Sequence, residues 1–131
     1  MSVYCTSSRC GWNALSKKPT IELLGGAAAG VPPRIMGIGP APASKKLMAR
    51  LGLGARDFDV IELNEAFASQ GLATLRDLVI ADDDPRVNLG MSGARITGTA
   101  AFELSLSGGR RSLSTMCIGV GQRIAIALER V

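Results

Sequence analysis

Residues 66–75 carry no charged side chain and follow a segment with a clear strand pattern. They come after residues 59–63, Asp-Val-Ile-Glu-Leu, whose apolar and β-branched character predicts a β-strand. Asn64 stands between the two segments and is a residue type that can cap a helix. A helix that is apolar around most of its circumference is normally buried. The sequence therefore predicts a strand followed by a buried helix that runs to about Leu78.

The rest of the chain continues the alternation of strands and helices. The expected order is strand, helix, connection, helix, strand, strand, which predicts an α/β fold with a mixed β-sheet layered with helices. The glycine-bearing link between the last two strands predicts an antiparallel hairpin. The further expected elements are a strand or helix at 21–29, a proline-rich loop at 31–42, a helix at 45–51 capped by Ser44 and ended by Gly52, a helix at 92–105, and strands at 111–116 and 123–128.

Composition excludes several classes of function. The chain has 131 residues, enough for one domain, and is 47% hydrophobic and 20% charged, which is typical of a globular protein. The net charge of +4 is scattered and aromatic residues make up only 4%, so we expect no nucleic-acid partner. No uncharged apolar run approaches about 20 residues, so we expect no membrane span.

The three cysteines, Cys5, Cys10 and Cys117, do not predict a disulfide framework, because their number is odd and their spacing irregular. A reducing, cytoplasmic location fits them better. No second pair of ligands accompanies Cys5 and Cys10, so we expect no metal site. The chain has no histidine, which excludes any mechanism that needs an imidazole from it.

Asn64 and Cys117 are each expected at the carboxyl end of a strand, where ligand sites gather in open α/β sheets. A cysteine there can act as a nucleophile or exchange a proton, and the glycines after it, Gly119 and Gly121, allow backbone N–H groups to approach an oxyanion. Taken alone, the pattern favours simpler interpretations. Cys117 can be a small buried hydrophobe, and Asn64 only a helix cap.

Four segments nevertheless resemble one family, the thiolases. Residues 64–67 (Asn-Glu-Ala-Phe) resemble the NEAF motif, residues 92–95 (Ser-Gly-Ala-Arg) the SGAR motif, and residues 115–121 the C-terminal cysteine motif. Residues 31–53 also match the family's C-terminal domain. The resemblance covers residues 26–131 and is closest to the acetyl-CoA C-acyltransferase and β-ketoadipyl-CoA thiolase type. It implies a thiolase-like C-terminal domain.

The resemblance implies roles for individual residues. Cys117 would be the acid/base at the substrate α-carbon, Asn64 would hold a water of one oxyanion hole, and Gly119 would offer its N–H to the other. Phe67, with its neighbour Ala66, would lie near the bound acyl-pantetheine. Coenzyme A would be a substrate, and no tightly bound cofactor is implied.

The chain also departs from the family pattern. The nucleophilic cysteine belongs to an N-terminal half that this sequence does not contain, and about ten residues with the Gly-His-Pro histidine are missing between Asn88 and Ser92. Arg123 stands where glycine is usual, and its side chain would either block close packing or point to solvent. Residues 1–25 match nothing and are expected to be a leader, whose order the sequence leaves open; residues 26–131 are the domain.

We therefore expect a truncated thiolase-type acyltransferase that is inactive alone. Whether the chain is an enzyme stays open. Its expected partners are CoA or acyl-CoA and either a second copy or a missing N-terminal thiolase half. The alternatives are a non-catalytic acyl-CoA-binding or dimerisation module, and a product of gene degradation.

Overall fold

The computed structural model describes residues 21–64, 66–90 and 93–131. The strands of these residues are β1 (Ile21–Gly30), β2 (Val60–Asn64), β3 (Val87–Gly90), β4 (Arg111–Gly119) and β5 (Gln122–Arg130). These five strands of the described residues form one sheet in the order β1-β5-β4-β2-β3. The β1–β5 and β5–β4 pairs are antiparallel, whereas the β4–β2 and β2–β3 pairs are parallel, so the predicted mixed sheet is confirmed.

Helices cover both faces of this sheet. On one face, Leu47 of the first helix and Leu75 of the second share a core with Leu63 and Leu113. On the other face, Ala100 and Leu104 of the third helix pack with Val60 and Leu128. The predicted α/β layering is therefore confirmed as three layers. The helices are α1 (Pro40–Leu51), α2 (Ala68–Asp77) and α3 (Ala94–Ser107), and short 3-10 turns occupy Pro33–Ile38 and Ala55–Asp57.

The α1 helix begins earlier than the sequence predicts. Residues 33–38 form a 3-10 turn, and α1 starts at Pro40, so the extended loop expected at 31–42 is wrong. Proline is tolerated there because the first-turn N–H groups of a helix have no intrahelical partner. Ser44 lies inside the helix, where its hydroxyl donates to Pro40 O at 2.9 Å, and is not its N-cap. Gly52 ends the helix in a left-handed conformation (φ 67°), as predicted.

The α2 helix is buried on one side only, which corrects the expectation of a mostly buried helix. Gln70, Gly71, Thr74 and Leu75 face the core, whereas Leu72 is 36% exposed. One layer of sheet can cover only one side of a helix, so an uncharged sequence does not ensure burial. The helix cap expected at Asn64 is also wrong, because that residue is the last of β2 and the helix begins at position 68.

The C-terminal hairpin is confirmed, with longer strands than predicted. The β4 and β5 strands are antiparallel and join through Val120 and Gly121 alone. The predicted helix at 92–105 is present as α3, two residues later, and Ser92 lies outside the described residues. Sequence reasoning missed β3, the edge strand that pairs with β2 at Ile61–Asn64.

The β1 strand crosses the boundary expected at residue 26, because it starts at Ile21 and pairs with β5 from there. Residues 1–20, which make up most of the expected leader, lie outside the described residues, so the division into leader and domain stays a prediction. Within the described residues, none of the three helices has the length and apolar character that crossing a membrane requires.

Candidate functional site

The structure brings Asn64 and Cys117 into direct contact. They lie near the carboxyl ends of the adjacent parallel strands β2 and β4, in which Leu63 pairs with Thr115. The Cys117 thiol donates a hydrogen bond to Asn64 Oδ1, with 3.3 Å between Sγ and Oδ1. Asn64 is 8% exposed, while Cys117 is half-buried and is not in a disulfide. The two strand ends therefore form one site, in which a thiol open to solvent on one side is oriented by a nearly buried amide.

Gly119 lies just beyond this pair, at a bend of the β4 strand. A β-bulge separates Cys117 from Gly119, whose φ of 115° belongs to a region that side chains rarely adopt. No atom lies within 4 Å of the position that a Cβ would take there. The glycine thus turns the backbone toward open space directly after the thiol.

Phe67 and Ala66 are both exposed, and Phe67 is 72% accessible. Phe67 lines a groove of about 370 Å³ between the 3-10 turn at 33–38 and α2, together with Arg34 and Ile38. The groove is shallow and open to solvent. The structure therefore places Phe67 on an apolar groove with one cationic side chain, three residues after Asn64. Glu65, between them, lies outside the described residues.

Arg123 is the site neighbour whose position sequence reasoning left open. It pairs directly with Cys117 across β4 and β5 and is only 3% exposed. Its side chain lies over Gly39, so closely that any Cβ at that position would collide with it. Its Nη1 donates to Gln122 O at 2.5 Å. Of the two alternatives, the solvent-pointing side chain is wrong, because the Arg123 side chain is buried against Gly39.

Glu62 is a buried charged residue that sequence reasoning missed. Its side chain lies in β2 and is 2% exposed, and Asn88 Nδ2 donates to its Oε1 at 3.0 Å. Burial raises the pKa of the Glu62 carboxyl, and the hydrogen bond from Asn88 opposes that rise. The contact ties β3 to β2, the strand that ends in Asn64. A carboxylate in the middle of an apolar strand was the signal that pointed to it.

The chemistry of the site is limited by what the chain lacks. There is no histidine in the sequence, and within the described ranges no three side chains are grouped as metal ligands. Cys117 and Asn64 can together hold and move one proton and orient one polar atom. A covalent acyl transfer needs more than that, because a nucleophile is normally activated by an adjacent base.

Comparison with known proteins agrees with this geometry. The family profile described as thiolase, C-terminal domain, matches residues 17–130. The chain is similar to the β-ketoadipyl-CoA thiolase of Pseudomonas putida, with 59% identity over 124 residues, covering 86% of this chain and 31% of that protein. It is also similar to the 3-oxoadipyl-CoA/3-oxo-5,6-dehydrosuberyl-CoA thiolase of Escherichia coli, with 52% identity and the same coverage.

Solved structures give the same result for the fold. The structure of human mitochondrial 3-ketoacyl-CoA thiolase in complex with CoA matches with a TM-score of 0.80 and 36% identity. The acetyl-CoA acetyltransferase of Bacillus anthracis matches with a TM-score of 0.79 and 35% identity. Each comparison covers 87% of this chain and 31% of the solved chain.

The chain thus spans about 31% of the length of the relatives that it matches. The alignment with the P. putida protein spans 124 residues, but it covers only 86% of the 131 residues of this chain. That relative therefore has residues without a counterpart here, in agreement with a gap in the family pattern. On its fold, its paired cysteine and asparagine and its sequence matches, the chain belongs to the thiolase family and corresponds to the C-terminal domain.

Proposed function

We propose that this chain provides the C-terminal part of a thiolase active site, which handles the α-carbon proton of a β-ketoacyl-CoA or acyl-CoA. The observation that carries the proposal is the hydrogen bond from Cys117 Sγ to Asn64 Oδ1, at 3.3 Å. It places a proton-exchanging group beside an amide that can fix a polar atom, at the carboxyl ends of two parallel strands.

Each residue then has one role. Cys117 takes or returns the proton at the substrate α-carbon, since a half-buried thiol has access to solvent on one side. Asn64 holds a water that faces the substrate carbonyl oxygen. Gly119 offers its backbone N–H to the developing oxyanion, for which its open surroundings and positive φ leave room.

Coenzyme A enters this proposal as a substrate, and no tightly bound cofactor is included. The groove beside Phe67 is open and largely apolar and has a guanidinium, Arg34, among its lining residues. Phe67 and Ala66 would contact the acyl-pantetheine arm, and the cation would favour the phosphates. The location proposed for the chain is the cytoplasm, where its scattered cysteines would stay reduced.

By itself the chain is proposed to be inactive in acyl transfer. Without a histidine, nothing in it can activate a nucleophile as an imidazole does, and losing such a base typically costs several orders of magnitude in rate. A complete reaction would need a second polypeptide that supplies the nucleophile and the histidine. Exposed apolar side chains on α3, Phe102 (62%) and Leu106 (66%), are consistent with such a partner.

Proton exchange tests the role of Cys117 without the complete reaction. We expect the chain to accelerate exchange of the acetyl-CoA methyl protons with D₂O, measured by proton NMR. Cys117→Ala should abolish the acceleration, and Asn64→Ala should reduce it. The double variant Cys5→Ala/Cys10→Ala is the matched thiol control and should exchange like the wild type. Equal exchange in the Cys117→Ala variant would refute the assignment.

Calorimetry tests the CoA groove separately. We expect CoA to bind in the millimolar range and Phe67→Ala to weaken binding several-fold. Phe102→Ala removes an equally exposed ring on α3 and should leave the affinity unchanged. Absence of heat at millimolar CoA would rule out the groove. Acetoacetyl-CoA thiolysis should be undetectable, and turnover that Cys117→Ala abolishes would show that the chain is active alone.

A second function, a non-catalytic acyl-CoA-binding or dimerisation module, is favoured by the burial of Arg123, the cross-strand partner of Cys117. A large side chain next to Cys117 reduces the space for a reacting acyl group. CoA binding without Cys117-dependent proton exchange would support this module. Size-exclusion chromatography that shows a clean monomer without binding of a hydrophobic dye would count against its dimerisation.

A further inference from the structure

The outer side of α3 carries two large apolar side chains that no described element of the chain covers. Ile96, Ala100 and Leu104 face the sheet and are buried. Phe102 and Leu106 follow Ala100 and Leu104 by two positions, which is about 200° around a helix, so they project away from the sheet. Both are exposed. An apolar surface therefore stands on the side of the helix that faces away from the core.

The surroundings of this pair determine what kind of partner suits it. The outer α3 face consists of exposed and uncharged residues, namely Gly98, Thr99, Phe102, Ser105 and Leu106. Arg95 shares this side of the helix but lies about 10 Å along the axis from Phe102. A charged partner gains no ion pair beside Phe102 and Leu106, whereas aromatic and aliphatic side chains would leave water there. The face therefore suits an uncharged, apolar stretch of polypeptide.

The N-terminal segment, residues 1–20, joins the described part of the chain beside this helix. Ile21 and Leu23, at the start of β1, pack against the cluster that contains Ala100 and Leu104 of α3. The match to the family profile begins only at residue 17, so most of the segment lies outside the shared domain. A segment that is attached at Ile21 is held beside α3 at a high effective concentration.

This segment contains side chains that suit the outer α3 face. Residues 10–16 are uncharged, are bordered by Arg9 and Lys17, and include Leu15 and the single tryptophan of the chain, Trp12. The stretch from Trp12 to Ile21 spans at most about 30 Å when fully extended. The 14 residues of α3 are about 21 Å long. Trp12 can therefore reach the whole length of α3.

We infer that residues 10–16 dock on the outer α3 face, with Leu15 against Leu106 and Trp12 against Phe102. Leu15 is the nearer of the two to Ile21 in sequence, so it meets the end of α3 that is closer to the start of β1. Docking removes a tryptophan ring and the two exposed side chains from water. The segment then regulates association, because another polypeptide can use this face only when the segment leaves it. The inference uses no residue of the proposed acyl chemistry, so its test is independent of that proposal.

Fluorescence tests the docking directly, because Trp12 is the only tryptophan. We expect the full chain to emit at a shorter wavelength than in urea, and acrylamide to quench the emission several-fold less. The double variant Phe102→Ser/Leu106→Ser should show urea-like emission and quenching while circular dichroism reports a folded chain. Leu72→Ser removes an exposed apolar side chain from α2 and is the matched control, which should emit like the wild type.

A hydrophobic dye tests the same contact from the side of α3. Trp12→Ser/Leu15→Ser should increase dye binding, and adding Phe102→Ser/Leu106→Ser should remove the increase. The wild-type emission should not change on dilution, because the contact lies within one chain. The inference is overturned if Trp12 is quenched in the native chain as in urea, or if the Phe102→Ser/Leu106→Ser variant keeps the native emission. Emission that changes on dilution would also overturn it, since a second copy would then be the occupant.

Discussion

At the scale of single residues, Arg123 and Gly39 depend on each other. The Arg123 side chain occupies the space in which a side chain at position 39 would stand. Gly39 has ordinary helical angles, φ −58° and ψ −31°, so its backbone does not need glycine. The need for glycine at this position is therefore steric, and it comes from a residue of β5 that is distant in sequence.

We predict that Gly39→Ala destabilises the chain by about 1–3 kcal/mol, as overpacking of a filled interior does. In an Arg123→Gly background the same change should cost close to nothing, because the collision is absent. Urea unfolding of the two single variants and the double variant measures this coupling. Gly26→Ala, whose Cβ would have its nearest neighbour at 3.6 Å, should cost the same in both backgrounds. Additive effects of positions 39 and 123 would contradict the prediction.

At the scale of elements, the β4–β5 turn is strained by its first residue. Val120 and Gly121 have φ values of 46° and 74°, the pattern of a type I′ turn. Valine is β-branched and poorly suited to that conformation, whereas Asn-Gly is the preferred pair. Val120 is also fully exposed, so its side chain contributes no packing that would offset the strain.

Val120→Asn is expected to stabilise the chain by about 1 kcal/mol, the cost of a left-handed β-branched residue. Thermal unfolding measures the gain. The matched control is Ile118→Asn, at an exposed position of the same hairpin that lacks a positive φ, and it should give no gain. An equal or larger gain at position 118 would show that exposure, not the turn conformation, decides the effect.

Gly98 lowers the stability of the α3 helix, and alanine can replace it. A Cβ at this position would meet no atom within 4 Å, so alanine fits without strain. Gly98→Ala should raise the free energy of unfolding by about 0.5–1 kcal/mol, because glycine is the poorer helix former. Urea unfolding tests this. Gly109→Ala, whose Cβ would lie 2.9 Å from Asp59 Cβ, should instead lower the stability.

At the scale of the whole molecule, a buried carboxylate and an ion-paired carboxylate make the free energy of unfolding depend on pH in opposite directions. Burial raises the pKa of Glu62. Its contribution to the free energy of unfolding is therefore present below about pH 4.5 and is lost as the pH rises through the pKa of the folded state. Arg86 donates hydrogen bonds to Asp84 and lowers the pKa of that carboxyl to about 2. The contribution of Asp84 to the free energy of unfolding is therefore present above pH 3.8 and is lost as the pH falls toward 2.

We predict that Glu62→Gln is more stable than the wild type at pH 7 and that the difference vanishes toward pH 4. Asp84→Asn should show the reverse, with a loss at pH 7 that shrinks under acid. Urea unfolding between pH 3 and pH 8 measures both. Asp83→Asn removes an exposed carboxylate from the same turn as Asp84 and serves as the control. A Glu62→Gln difference that is independent of pH would exclude the carboxyl as its source.

Much of the fold could be predicted because it depends on local patterns. Apolar and β-branched residues predicted β2, and glycines predicted the hairpin between β4 and β5. The meeting of Asn64 and Cys117 could be inferred because the carboxyl ends of neighbouring parallel strands share one edge. The thiolase-like C-terminal domain was predicted from the resemblance of four segments to family motifs.

The remainder depends on contacts between distant residues, which no local pattern contains. The β3 strand has only four residues and pairs on one side, so its own sequence gives a weak signal. One side of α2 is exposed because a single layer of sheet covers the helix. Arg123 is buried because its register with Cys117 directs its side chain over Gly39, which has no side chain in the way. The prolines at 40 and 42 indicate a loop until one knows that they occupy a first helical turn.

The pairing of β1 with β5 also sets the order of events during synthesis. Among the described residues, the Ile21–Gly30 strand lies at the sheet edge and pairs with β5 alone. It meets that neighbour only when residues 122–130 have left the ribosome. Closing contacts between such distant segments is slow, typically taking milliseconds to seconds. Until then, the apolar residues of the first strand remain in water, where a chaperone can reach them.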